Sequence, residues 1–208
     1  SYHENAAKSW KHWHPKLGHA NLKHMRHALN GHAELEGLKT QQCYCEGCVT
    51  TIVQSHPHNH GSDAHGRHNY LAGQCMHLDN SGPFANSING KKYRFLFVDY
   101  AVGYEFVYHA AKKSEAPKAF KEAKAAFEAY SGRKLRYIRT DSDSIFMSAE
   151  MKQIFTECSI VPTYSSPNDH AQNGLAESSV KRANRYTRAN LLYAGAPSSF
   201  WGEADNYQ

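Results

Sequence analysis

Two histidines and two cysteines near the amino terminus have the types and spacing of a metal site. His14 and His19 are separated by four residues, and Cys45 and Cys48, separated by two, follow after 25 more. Imidazole nitrogens and thiolates are the ligands that structural zinc prefers, and four of them complete a tetrahedron. Cys43 is a rival for Cys45, but Cys-x2-Cys is the better chelate spacing. The set predicts one bound zinc ion.

The short segment that carries these ligands needs such an ion to fold. Leu22, Met25 and Leu29 recur at helical spacing, yet residues 1–53 are too few to bury a large core. A structural zinc site of this size contributes on the order of 10 kcal/mol of folding free energy. Residues 54–69 are poor in apolar side chains and rich in His, Gly and Asn, which favours a solvated linker over a metal-binding tract.

The composition excludes several other classes of protein. The chain has 208 residues, 40% of them hydrophobic, so it can bury a core and is not globally disordered. No apolar run reaches the roughly 18 residues of a membrane span, and no signal-peptide pattern opens the chain. Five cysteines, three of them bunched, indicate metal ligands rather than a disulfide framework. The net charge of +5 suits an acidic partner, and the missing initiator Met predicts part of a longer protein.

The rest of the chain alternates between strand and helix patterns from residue 70 onward. Three strands come first, joined by turns that suit antiparallel hairpins, and helix, strand, helix, strand and helix follow. That order is typical of an α/β fold of the ribonuclease-H-like type, a mixed five-stranded sheet with helices. The predicted strands are 70–79, 92–100, 104–110, 135–140 and 160–164, and the predicted helices are 114–130 (capped by Ser114), 148–158 and one from Asn173 or Gly174 to about Tyr193.

Three acids fall where such a fold gathers its chemistry. Asp79 ends the first strand, Asp141 ends the fourth, and Glu177 lies on the last helix, with 35 residues between it and Asp141. Three carboxylates at one point repel each other unless cations lie between them, and two Mg²⁺ ions there suit phosphoryl transfer. Asp143 competes with Asp141 but leaves only 33 residues before Glu177. Asp99 reads as an acid at the edge of the core.

The helix that carries Glu177 is otherwise basic. Lys181, Arg182, Arg185 and Arg188 follow it, with no acid from residue 178 to 202. Glu177, Lys181, Arg185 and Arg188 lie close to one helix face, which predicts a metal-holding acid beside cations that follow a DNA backbone. The alternative is a solvated helix with an accidental basic stripe.

Several segments, in order, carry a family resemblance. "WHPKLGH" and "CEGC" resemble an amino-terminal His-His-Cys-Cys zinc module. "HLDNSGPF", "IRTDSDSIF" and "QNGLAE" resemble three acidic motifs, and "LLYAGAPSSFWGEA" resembles the segment that closes a catalytic core. From about residue 10 to its end, the chain is similar to the integrase of copia-type LTR retrotransposons, with its catalytic core at 70–208.

The resemblance implies strand transfer, in which a 3′-hydroxyl of element DNA attacks a target phosphodiester without a covalent enzyme intermediate. It also implies double-stranded DNA as the partner, a homo-oligomer with no membrane association, and an intracellular location in the nucleus or a cytoplasmic virus-like particle. The implied ligands are Asp79, Asp141 and Glu177 for Mg²⁺ or Mn²⁺, and His14, His19, Cys45 and Cys48 for zinc.

Departures from the family pattern leave two alternatives. Ser142, Asp143 and Ser144 stand where the family usually has Asn-Gly-Gly; "PNDHAQNG" is longer and more acidic than usual, and "VTTIVQ" replaces basic residues after Cys48. One alternative is a decayed copy that only binds DNA or assembles. The other is a different ribonuclease-H-like nuclease or transposase. A true ribonuclease H needs a further acid on its first helix, where the candidates are Glu115, Glu122 and Glu128.

Overall fold

The chain forms two compact units. The structure, a computed structural model, describes residues 10–28, 45–52, 70–141, 143–164 and 174–206, without the side chains of 51–52 and 174–177. Of these, one unit holds residues from 70 to 182, and the other holds 10–28 and 45–52 with 183–206. The predicted linker 54–69 lies outside the described residues. The predicted boundaries at 53 and 70 therefore stay predictions, although residues 183–206 group with the amino-terminal helices.

The unit that ends at residue 182 is built on a mixed five-stranded sheet in the order β3-β2-β1-β4-β5. The antiparallel pairs are β1 with β2 and β2 with β3, while β1 with β4 and β4 with β5 are parallel. The predicted fold class and the presence of all five predicted strands are confirmed, but the first strand starts at Cys75 and ends at Ser81, so Asp79 lies within the strand and not at its predicted end. The strands are β1 Cys75–Ser81, β2 Tyr93–Asp99, β3 Glu105–Ala110, β4 Tyr137–Thr140 and β5 Val161–Tyr164.

One face of this sheet carries the main hydrophobic core. Successive side chains of a strand point to opposite faces of the sheet, so every second residue points to the same face. Met76 and Leu78 of β1 pack with Phe97 of β2 and with two helices, α4 (Ala116–Ser131) and α5 (Ala149–Glu157). The helices contribute Ala119, Phe120, Ala123, Phe127, Met151, Ile154 and Phe155, all buried.

The start of α4 differs from the predicted one. Ser114 does not cap the helix, because it lies inside a short 3₁₀ turn, Lys113–Glu115, and Glu115 takes the N-cap position without a side-chain cap. Pro117 in the first turn suits this start, since proline has no N–H to leave unsatisfied. Ser148 does cap α5, because its hydroxyl accepts the N–H of Met151.

Asp99 lies at the sheet edge opposite the end of β1, because β2 runs antiparallel to β1. Its side chain is fully buried. One carboxylate oxygen accepts the N–H of Gly73, and the other accepts those of Ala101 and Val102. Asp99 therefore closes the turn after β2, which agrees with leaving it out of the candidate site.

The other unit is helical where it is described. Residues 10–16 (α1) are followed by α2 (Leu22–Ala28) and α3 (Glu46–Ile52), and the unit also holds the second half of α6 (Gly174–Ala194) and α7 (Trp201–Asp205). Trp10 and Met25 are its buried centre. A Cβ atom on Gly47 would lie 2.8 Å from the carbonyl oxygen of Ala189, so α3 and α6 touch backbone to backbone. No helix in the described part of the chain has the length and apolar character needed to cross a membrane.

We expect Asp99→Asn to lower the free energy of unfolding by about 1–3 kcal/mol, because an amide NH₂ would replace one of the oxygens that accept buried N–H groups. Urea unfolding followed by circular dichroism measures the change. Glu157→Gln removes the same charge at an exposed position and should leave stability nearly unchanged. Equal stability of the two variants would contradict this role for Asp99.

Candidate active site and metal centre

Two of the three predicted catalytic acids, Asp79 and Asp141, come directly after residues that pair across two neighbouring strands. The parallel pairing of β1 with β4 ends at Leu78 opposite Thr140, so Asp79 and Asp141 are the next residues of two neighbouring strands. Adjacent strands lie about 4.8 Å apart, and parallel strands end at the same edge of the sheet. Both acids are half-buried. The structure therefore puts Asp79 and Asp141 at neighbouring positions on the carboxyl edge of the sheet.

The third acid, Glu177, lies in the first turn of α6. Its side chain is outside the described residues, as is the preceding loop from 165 to 173, so the predicted convergence of all three carboxylates stays a prediction. The helix itself begins at Gly174 and ends at Ala194, which confirms the predicted helix closely.

The carboxylates of Asp79 and Asp141 each accept a backbone N–H from a residue that closely follows them in the chain. One oxygen of Asp79 accepts the N–H of Asn80 at 2.7 Å, and one oxygen of Asp141 accepts the N–H of Asp143 at 3.2 Å. Neither hydrogen bond comes from a cationic side chain. Two neighbouring carboxylates that offer oxygen ligands fit a hard divalent cation such as Mg²⁺ or Mn²⁺.

Asp143, the rival of Asp141, is occupied by other contacts. Its carboxylate accepts hydrogen bonds from Asn80 Nδ2 at 2.9 Å, from Lys113 Nζ at 3.1 Å and from the N–H of Ile145 at 3.0 Å. Burial acts to raise the pKa of Asp143, but these hydrogen bonds and the charge of Lys113 lower the pKa by more, so it lies below the ordinary value for Asp. Asp143 is a charged structural group, and no local sequence pattern indicates its partners.

The first-helix acids that a ribonuclease H would need are placed for other roles. Glu115 accepts the N–H groups of Ala111 and Lys112. Glu128 pairs with two lysines near the start of β4, far along the helix from the carboxyl edge, and Glu122 is exposed. These contacts favour the integrase reading over the ribonuclease H alternative.

The four predicted zinc ligands do meet. One ligand atom from each of His14, His19, Cys45 and Cys48 lies within 4.8 Å of all the others. The Nε2 atom of His14 is 3.2 Å from Cys48 Sγ, and His19 Nδ1 is 3.4 Å from both sulfurs. Among the described residues, this is the group of three or more His, Cys, Asp or Glu side chains whose ligand atoms lie close enough together to hold a metal ion. The rival Cys43 lies outside them.

A sharp turn after α1 brings the two histidines together. On an uninterrupted helix, residues five apart point about 140° away from each other. Here Gly18 and His19 both adopt left-handed backbone conformations, with φ of 58° and 59°, and the N–H of His19 bonds to the carbonyl of His14. Nδ1 of His14 lies 3.0 Å from the carbonyl oxygen of Ala20, so an N–H there leaves Nε2 for the cluster.

The protonation of the cluster suits a bound cation. Burial and the neighbouring His14 lower the pKa of His19 to about 4, against the opposing effect of a hydrogen bond with the side chain of Asn190. Burial and the neighbouring Cys45 raise the pKa of Cys48 to about 12, although Arg185 lowers it. The imidazoles are therefore neutral and ready to bind a metal ion, while the Cys48 thiolate needs a cation to form. Two imidazoles and two sulfurs in this arrangement fit a tetrahedral ion.

The basic residues of α6 divide into two groups. Lys181, Arg185 and Arg188 are exposed. Arg182 instead forms an ion pair with Glu105 of β3 and a hydrogen bond to Ser179 at 3.1 Å. The helical period alone indicates this division, because Arg182 is rotated by 100° from Lys181 and lies away from the helix face that starts at Glu177.

Comparison with known proteins adds an independent line of support. No family model matches the chain. The retrovirus-related Pol polyprotein from transposon TNT 1-94 of Nicotiana tabacum is 27% identical over 197 residues, which cover 92% of this chain. Because those residues are 14% of the polyprotein, the chain spans only a small part of that curated relative.

Two solved structures share the fold. Both are of the HTLV-2 integrase catalytic core domain in complex with magnesium, one described as a trimeric and one as a dimeric form. Each has a TM-score of 0.50 and covers 65% of this chain, with 82% and 83% of those chains covered at 22% and 21% identity.

The chain thus has a ribonuclease-H-like fold, the mixed five-stranded sheet with helices that the HTLV-2 integrase catalytic core domain also has. The resemblance to integrases of copia-type LTR retrotransposons is confirmed by the match to the tobacco transposon polyprotein together with this fold.

We expect the purified protein to retain about one metal ion per chain, held by the four-residue cluster. Cys48→Ser should release the ion and lower the thermal midpoint, because serine is a poor ligand for a soft site. Elemental analysis measures and identifies the ion. Cys158→Ser changes an exposed cysteine outside the cluster and should alter neither quantity. A folded amino-terminal unit without metal would contradict the assignment.

Proposed function

We propose that this chain is the zinc module and catalytic core of a retrotransposon integrase, which joins the ends of element DNA to target DNA by metal-dependent strand transfer. The observation that carries the proposal is the parallel register that sets Asp79 and Asp141 side by side. The motif order, with Glu177 on α6, and the similarity to a transposon polyprotein support it.

The reaction exchanges one phosphodiester for another. The 3′-hydroxyl oxygen of element DNA bonds to the target phosphorus, the target strand's own 3′ oxygen leaves, and the proton of the attacking hydroxyl ends on that oxygen or in water. The number of phosphodiester bonds does not change, so no energy-supplying cofactor is needed. Divalent ions, when bound, would activate the hydroxyl and stabilise the leaving oxygen. The chain's part is to hold Asp79, Asp141 and Glu177 as oxygen ligands at one edge.

The amino-terminal cluster is proposed to hold zinc. Four protein ligands leave no open coordination position, so the ion would stabilise the fold and take no part in catalysis. Because the described core of this unit is small, centred on Trp10 and Met25, metal binding would supply much of its stability.

The DNA partner is proposed to bind along the exposed cations of α6, Lys181, Arg185 and Arg188, which can contact phosphates without regard to sequence. Arg182 belongs to the predicted set, but its ion pair with Glu105 leaves it a smaller share of the contact. We further propose a homo-oligomer, because the similar HTLV-2 cores are described in dimeric and trimeric forms. Action on chromosomal DNA would require entry to the nucleus, with a cytoplasmic virus-like particle as an earlier location.

We expect Asp79→Asn, Asp141→Asn and Glu177→Gln each to reduce joining of oligonucleotide ends to target DNA to background. Each variant keeps the side-chain shape but removes a charge that holds the cation. The assay uses gel-resolved strand-transfer products formed with Mn²⁺. DNA binding should be unchanged in all three.

Glu157→Gln removes an exposed acid from α5 and should retain full joining. If the unaltered protein joins nothing but binds DNA, the decayed-copy alternative replaces the proposal. If Glu122→Gln abolishes activity while Glu177→Gln does not, the chain is a different nuclease.

We expect replacement of Lys181, Arg185 and Arg188 by Ala to flatten the salt dependence of DNA binding. Each lost phosphate contact should reduce the slope of log affinity against log salt by about 0.9. Fluorescence anisotropy with a DNA duplex at several salt concentrations measures it. A matched variant with Lys121, Arg133 and Lys152 replaced loses the same charge from exposed positions elsewhere. Equal slopes in the two variants would mean that net charge, not this stripe, binds DNA.

A further inference from the structure

We propose that Asp143 is a positioning residue, which ties the end of β1 to the loop after β4 and so sets the spacing of Asp79 and Asp141. The inference rests on the proposed function, since it concerns the same cation-holding carboxylates. In the family pattern this position is usually Gly, which could form none of the side-chain contacts described below.

The contacts of Asp143 reach three separate segments. Its Oδ2 accepts hydrogen bonds from Asn80 Nδ2 at 2.9 Å and from Lys113 Nζ at 3.1 Å. Its Oδ1 accepts the N–H of Ile145 at 3.0 Å, and its own N–H donates to Asp141 Oδ1 at 3.2 Å. One residue therefore joins the end of β1, the 3₁₀ turn before α4 and the loop that carries Asp141.

These contacts lie where the sheet stops holding the strands together. The backbone pairing of β1 with β4 ends at Leu78 and Thr140, so Asp79 and Asp141 lie one residue beyond the ladder. Two neighbouring carboxylates repel each other and tend to spread the strand ends apart. The side-chain bond from Asn80 to Asp143 crosses this gap directly beyond the two acids. Its effect should be to hold them at a spacing that one cation can bridge.

Lys113, whose side chain is 41% exposed, strengthens the link because its ammonium group donates to the same oxygen of Asp143 as Asn80 does. Charge-assisted hydrogen bonds are about twice as strong as neutral ones. The ammonium group also offsets the added negative charge of Asp143 at an edge that already holds Asp79 and Asp141. The carboxylate of Asp143 can therefore stay at this edge, because Lys113 pairs with it.

The sharpest test is Asp143→Asn. This change keeps the shape and an oxygen for the N–H of Ile145, but it turns the Oδ2 acceptor into an NH₂ group that faces two donors, Asn80 Nδ2 and Lys113 Nζ. We expect Mn²⁺, titrated alone into the protein and followed by calorimetry, to bind about 10-fold more weakly. Asn80→Ala, which removes the link from the other side, should weaken Mn²⁺ binding similarly.

The double variant Asn80→Asp with Asp143→Asn restores the bond with donor and acceptor exchanged. It should recover most of the lost Mn²⁺ affinity, which a change in general stability would not do. Thermal midpoints without metal show whether each variant is folded, and Asn80→Ala serves if Asp143→Asn does not fold.

Asp141→Asn distinguishes a failure of the proposed cation site from a failure of the positioning role. If Asp141→Asn leaves Mn²⁺ affinity unchanged, the proposed cation site itself is wrong. If Asp141→Asn weakens binding while Asp143→Asn and Asn80→Ala do not, only the positioning role is overturned. If the exchanged double variant is folded but binds Mn²⁺ no better than Asp143→Asn, Asp143 acts as a ligand rather than through Asn80, and the inference fails.

Discussion

The parallel pairing of β1 with β4 is the constraint on which the rest of the structure depends. It joins two strands that are distant in sequence and brings their carboxyl ends to one edge, with Leu78 opposite Thr140. The antiparallel hairpin of β2 and β3 widens the sheet on one side, and β5 extends it on the other. The core of α4 and α5 fills one face, so the strand ends cannot slide. A slip of one residue would turn Asp79 to the opposite face.

Both candidate metal centres gather groups that are unfavourable together without a cation. At the sheet edge, hard carboxylate oxygens repel each other; at the amino terminus, burial and the neighbouring Cys45 raise the pKa of Cys48 to about 12, so its thiol resists ionisation. The donor types then separate the two ions, since oxygen ligands select magnesium-like cations and sulfur with imidazole selects zinc-like ones. Ligand chemistry alone would keep the proposed catalytic and structural roles apart.

The helix α6 takes part in both units and has a different task in each. Its first half carries Glu177 and anchors to the sheet unit through the ion pair between Arg182 and Glu105. Its second half packs against α3, which carries Cys48, where Gly47 permits close approach to Ala189. The basic residues of one helix therefore make different contacts, because successive residues are rotated by 100° and meet different surroundings.

The sequence by itself determined the order of strands and helices, because apolar periodicity and turn residues are local properties. It also determined the ligand types, since His14 and His19 with Cys45 and Cys48 form a recognisable set. Tertiary structure alone decided which acids are neighbours, how a left-handed turn at His19 closes the cluster, and that Asp143 binds Asn80 rather than solvent. Those contacts join residues as many as 63 positions apart, and no local pattern records such pairing.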